Sequence, residues 1–228
     1  MAEASVWADL AAFGFGVAIS PLHIAVLLLL LLGPAPLRRG GLYVVAWLIT
    51  TLLTVMAFLT VGHGLVLDMT HGSHPRTGLD LIGGGALLSL ATKELISAFI
   101  KHQKQPSWTG AVDRLTAMPL PLLLILSAVI EVITPDDLLL FAKSASALLA
   151  AGMTIRTELL GSVIFTLSAS LLLIVPLLAV MISRNKVLPL LQQAKDLLYA
   201  RGEFVVAGVS MLLGSYLSWQ GINGLIHI

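Results

Sequence analysis

The chain has 228 residues, 57% of them hydrophobic and only 11% charged, with a mean hydropathy of +0.98. That leaves too little polar surface to hold a folded domain in water, so a soluble protein is excluded. A net charge of +1 gives no bulk attraction to nucleic acid, and the absence of cysteine removes thiol redox chemistry and thiolate metal sites.

The first nine residues carry Glu3 and Asp9 but no Lys or Arg. They lack the basic region of a cleavable signal peptide, so the first apolar segment reads as a retained helix. Six apolar stretches follow in chain order, at residues 10–32, 42–67, 79–100, 120–150, 159–182 and 204–226. Each reaches the roughly 20 residues that a membrane-crossing helix needs. Turn and charge signals separate them: Gly33-Pro34-Ala35-Pro36, His71-Gly72-Ser73-His74-Pro75, Lys104-Gln105-Pro106 and Arg184-Asn185-Lys186. The first, third and fifth loops hold nine Lys and Arg residues, against Arg76 and Arg156 in the second and fourth. By the positive-inside rule the nine-charge side is cytoplasmic, which places both termini outside.

The fourth stretch is 31 residues long. As one helix it would extend about 46 Å, well beyond the hydrocarbon slab. It therefore tilts strongly or is broken, and Thr134-Pro135 supplies a break. The first stretch has a matching one at Ser20-Pro21. Laying one break on the other gives an offset of 114 residues, which also sets residues 42–67 over 156–181. The expected fold is an all-α membrane protein of six transmembrane helices, built as two inverted three-helix repeats at 1–104 and 105–228. Helices one and four are expected to be broken. Such repeats with interrupted helices are a transporter pattern, with the site near the midplane.

Pro135 removes a backbone donor, so carbonyls near Glu131 lose helical partners that protein or water must replace. Thr134-Pro135-Asp136-Asp137 also reads as a helix start, with Thr134 at the cap and acids in the first turn. Capping alone would explain Asp136 and Asp137. Cost argues for function, because each acid at the bilayer centre costs about 2.5 to 3.5 kcal/mol by insertion scales. Glu131, Asp136 and Asp137 are also close enough to repel one another, which favours their sharing a proton or a cation. His23 occupies the position equivalent to Asp137. If the breaks cross, its imidazole would approach the acids as a relay; alternatively it is simply hydrogen-bonded within the bundle. The candidate pathway is thus Ser20, Pro21, His23, Glu131, Thr134, Pro135, Asp136 and Asp137.

The remaining polar residues read as structural. Lys143 is expected to snorkel to the interface and Lys93 and Glu94 to pair or snorkel. His63 reads as packed or interfacial, and His71/His74 beside Asp68 as a solvated loop rather than a metal site. Gly83-Gly84-Gly85, Gly208 and Gly214 read as close helix packing, and Trp108 as an interface anchor. No phosphate loop, zinc-binding helix pattern or nucleophile elbow appears, so no metal, cofactor or enzyme activity is expected.

Ala18-Ile19-Ser20-Pro21-Leu22-His23-Ile24, then Gly33-Pro34 and Arg38-Arg39-Gly40, resemble the GAP (peptidoglycolipid addressing protein) family of actinobacterial membrane proteins, within the LysE-type exporter superfamily. Pro106-Ser107-Trp108, Asp113-Arg114-Leu115, the broken fourth span and Pro176-Leu177-Leu178 extend the likeness over nearly the whole chain. Members usually show an Asn-Pro break where this chain has Thr134-Pro135-Asp136-Asp137. The resemblance implies a six-helix, two-repeat exporter in the plasma membrane, with a cell-envelope glycolipid or other small amphiphile as cargo and a larger lipid transporter as partner. A homo-oligomer is a further expected association, besides the bilayer itself. The expected function is a secondary exporter coupled to a proton or cation. The alternatives are a non-transporting partner of a lipid-export or envelope-synthesis complex, and an intramembrane lipid-modifying transferase.

Overall fold

A computed structural model describes residues 2–64, 74–100 and 109–226. These residues form helices only: α1 Ala2–Ala18, α2 Pro21–Leu32, α3 Pro36–Gly64, α4 His74–Ile100, α5 Thr109–Ala117, α6 Leu120–Ile133, α7 Pro135–Ala150, α8 Ile155–Ala169 and α9 Leu171–Ile226. The chain is a multi-pass membrane protein. Its polarity is distributed for lipid: Ile49, Leu53, Leu160 and Ile182 stand exposed, whereas Thr51, Glu131, Asp137, Lys143 and Ser144 are buried.

Both proline breaks form, with nearly the same backbone. Ser20 has φ −64° and ψ 111°, Thr134 has φ −65° and ψ 117°, and each precedes a proline at the first position of the next helix. The proline ring pushes the preceding residue out of the helical region and its own fixed φ suits a helix start. At the first break α1 and α2 are bent by 60°. Thr134 occupies the cap position but does not cap with its side chain. Its hydroxyl instead turns back to the carbonyl of Ile130, which also accepts the Thr134 backbone N–H.

Among the described residues, three helices are long and apolar enough to cross a membrane, at Pro36–Gly64, Arg76–Phe99 and Leu171–Ile226, and the bent α1–α2 pair makes a fourth candidate. The fourth expected span is divided into α6 and α7, of 14 and 16 residues. An unexpected break at Ser170 divides the fifth, and Ser183 is the non-helical residue inside α9. The expected loop at residues 184–203 is helical instead, Pro189 included.

The longest helix-on-helix seam runs between α4 and α9, which lie antiparallel: Thr77 meets Gly224, Leu81 meets Gly221, Leu88 meets Gly214, and the rings of Phe99 and Phe204 are 5.8 Å apart. A Cβ at Gly84 would stand 2.6 Å from the Ser218 nitrogen, and one at Gly214 would stand 2.9 Å from the Leu88 nitrogen. These glycines admit backbone-to-backbone contact, as expected of small residues between membrane helices. Gly85 and Gly208 have no neighbour of this kind within 4 Å among the described residues, so they serve no such contact there. Inside the bundle, Leu10, Phe13, Val17, Leu27, Phe141, Phe165 and Leu173 form the apolar core.

Candidate functional site

The two breaks set down the polar residues of the interior. Pro21 starts α2 so that His23 falls in its first turn, buried at 3% exposure; Glu131, at 0%, lies in the last turn of α6, and Asp137, at 2%, in the first turn of α7. Ser20, Pro21 and Asp137 line one small cavity of about 20 Å³, together with Ser210 and Leu213 of α9. That is room for about one water. The first break and an acid of the second thus share a cavity.

The partners of His23 and Glu131 come from α3. Tyr43, Trp47 and Thr51 recur every four residues, so they form one stripe down its face. The Tyr43 hydroxyl lies 2.9 Å from His23 Nδ1, and the Trp47 ring centroid lies 4.1 Å from the imidazole. Thr51 Oγ1 donates to Glu131 Oε1. Tyr43 also lies beside Ser127, one turn before Glu131 on α6, and within electrostatic reach of Glu131 and Asp137. Tyr43, Trp47, Ser127 and Glu131 close together with no room for a water between them. Among the described residues, His23 Nε2 and Glu131 Oε2 have no hydrogen-bond partner. The imidazole therefore meets a tyrosine hydroxyl rather than an acid. The side chains of Pro135 and Asp136 lie outside the described residues.

A second cluster binds α1, α4, α7 and α9. Lys143 Nζ donates to Asp80 Oδ1, with both side chains almost fully buried. Arg76, also buried, lies within electrostatic reach of Asp80 and Asp9. The Tyr216 hydroxyl donates to Asp9 Oδ1 at 2.8 Å, and Gln220 Nε2 donates to the Tyr216 oxygen at 2.7 Å. Lys143 does not snorkel, because Asp80 of α4 meets it inside the bundle. At the same end His63 pairs with Glu158 of α8 at 3.0 Å; toward the other end of α4, Lys93 and Glu94 stand 3.8 Å apart. His71, Asp68 and Trp108 lie outside the described residues.

At the opposite end Arg39 Nη2 donates to the carbonyls of Thr116 and Met118, at 2.9 and 3.1 Å, and so holds the C-terminal end of α5. Beside it is a cavity of about 270 Å³, lined by Leu29, Leu30, Gly33, Pro34, Asp113 and Thr116 among others. No group of three or more His, Asp or Glu residues suited to a metal exists among the described residues.

Residues 10–223 match the profile of the family described as Sap, sulfolipid-1-addressing protein. The chain belongs to this family. No curated protein and no solved structure matches it. The Sap match takes in both breaks, the α3 stripe and every residue of the second cluster except Asp9. The stripe carries residues that sequence reasoning passed over. Its four-residue spacing of polar-tipped side chains was the available signal.

Proposed function

We propose that the chain is a plasma-membrane secondary exporter of a cell-envelope lipid or similar amphiphile, coupled to a proton or cation. The observation that carries the reading is the meeting of Ser20, Pro21 and Asp137 at one cavity, with Glu131 and His23 buried nearby. Buried ionisable groups beside interrupted helices are where membrane transporters hold substrate and coupling ions. The family's description, as addressing a sulfolipid, supports lipid as the cargo. The resemblance of the sequence motifs to the GAP branch of the LysE-type superfamily supports the exporter reading.

On this reading α1 with α2, α6 with α7, and α8 with the start of α9 each make one span, which with α3, α4 and the rest of α9 gives six. The packing supports an inverted repeat: α6 and α7 pack on α3, while α1 and α2 pack on α8 and α9, and the counterparts α4 and α9 pack on each other. The similar backbone at Ser20 and Thr134 supports it too. Nine cationic residues between the first and second, third and fourth, and fifth and sixth apolar stretches, against two between the others, support an orientation with both termini outward. In that orientation Lys143–Asp80 and His63–Glu158 close the outer end, and the cavity beside Arg39 opens toward the cytoplasm.

The test is purified protein in liposomes of envelope-lipid extract with an imposed pH gradient. Mass spectrometry then reads the lipid that albumin extracts from the acceptor leaflet. Gradient-dependent lipid movement, abolished in the Asp136→Asn/Asp137→Asn double variant, is the expected result; undiminished movement in that variant removes the coupling role. The family's word "addressing" favours a second reading, a partner that delivers lipid to a larger transporter. It predicts no movement by the chain alone and co-purification with such a transporter.

A further inference from the structure

Resting on the exporter reading, we infer that Tyr43 ties His23 to Glu131, so that the two titrate as one unit and a proton on the second repeat's carboxyl is felt at the first repeat's break. A tyrosine hydroxyl has a single proton to donate. When it donates to His23 Nδ1, it can only accept from its other side; when it accepts from Nδ1–H, its proton is free to point toward Ser127 and Glu131. Tyr43 stands where this choice matters, 2.9 Å from Nδ1 on one side and beside Ser127 and Glu131 on the other.

No water fits between Tyr43, Ser127 and Glu131, so solvent cannot relieve the choice. His23 Nε2, Ser127 Oγ and Glu131 Oε2 are left without partners among the described residues, and the first and last are atoms where a proton can be gained or lost. His23 sits in the first turn after Ser20-Pro21, so a change in its charge or tautomer acts on the helix start that lines the Asp137 cavity.

The ionisable neighbours on the elements packed around α3 are few. Asp137 on α7 lies within reach of Tyr43, and Lys143 on the same helix is held by Asp80. Glu158 on α8 is held by His63, and Asp113 on α5 lies at the Arg39 cavity. The cationic residues of α9, at positions 184, 186, 195 and 201, are all outside the buried set. Asp137 is therefore the competing group, and the test includes it. Tyr43 acts as a positioning residue, since it sets the state of His23 and Glu131.

The experiment is an infrared pH titration of the full chain in lipid. It follows the protonated-carboxyl C=O band that the Glu131→Gln variant lacks. Tyr43→Phe and His23→Gln are expected to move the midpoint of that band in the same direction, by about one pH unit. The Tyr43→Phe/His23→Gln double variant is expected to move it no further than either alone. His63→Gln and Asp137→Asn serve as comparisons, and Asp137→Asn is expected to leave the response to His23→Gln intact.

A Glu131 midpoint unmoved by His23→Gln in protein of unchanged melting temperature overturns the inference. So do additive shifts, an equal shift in His63→Gln, or no Glu131 band between about pH 5 and 8. If Glu131→Gln stops gradient-driven lipid movement but His23→Gln leaves the midpoint alone, the coupling falls and the exporter reading stands. If the midpoints move as expected but no lipid moves, the reverse holds.

Discussion

The cluster around Glu131 and the cluster around Lys143 are both buried and both built from several helices, yet they are balanced differently. Lys143 meets Asp80 as a full ion pair, with Arg76 and Asp9 within electrostatic reach. Among the described residues, Glu131 has one threonine donor and an oxygen without a partner, and His23 has one tyrosine and a nitrogen without one. A matched pair in low dielectric resists any change of charge, because altering one member strands the other. A half-satisfied set has room to gain or lose a proton. The first arrangement suits a fastening, the second a moving part.

The difference is broken most forcefully at the fastening. Lys143→Ala leaves Asp80 buried without its cation and is expected to destabilise the protein by about 3 to 5 kcal/mol. Thermal unfolding in detergent would show it, and Asp80→Asn/Lys143→Met should recover most of the loss. Thr51→Val removes the hydroxyl that donates to Glu131, at a cost of about 1 to 3 kcal/mol by the same assay. Thr51→Ser, which keeps the donor, should recover part of it.

Glu131→Gln sharpens the contrast from the other side. Its amide oxygen still accepts from Thr51, so stability should change by no more than about 1 kcal/mol, while the response of lipid movement to an imposed pH gradient disappears. His63→Gln is expected to do least, within about 1 kcal/mol, because His63 is 55% exposed and its pairing with Glu158 is screened. A loss there as large as at Lys143 would erase the distinction between a buried fastening and a surface contact.

The breaks were legible because proline acts locally: it lacks an N–H and constrains the residue before it, whatever lies around. The burial of Glu131 and Asp137 was legible as acids inside apolar runs. The pairing of Lys143 with Asp80 was not, since 63 residues separate them and no local pattern encodes which helices become neighbours. The α3 stripe was hidden by composition, since Tyr43, Trp47 and Thr51 look ordinary in an apolar span until projected on one helical face. The charges of Arg184-Asn185-Lys186 signal an end to a membrane segment, yet most residues past Ser183 are good helix formers and the chain stays helical. The interruptions that revealed the candidate site also shortened the helices. Among the described residues, three single helices and one bent pair are therefore long enough to cross, against six apolar runs in the sequence.

The glycine seam between α4 and α9 has a mechanical corollary. Where backbones touch without interposed side chains, one rod cannot creep along the other by swapping rotamers; sliding would carry Leu88 off Gly214 and press residues that have side chains against the facing backbone. The two helices are therefore expected to travel as one stiff spine. Rearrangement then falls to the pieces around it, hinged at Ser20, Thr134 and Ser170.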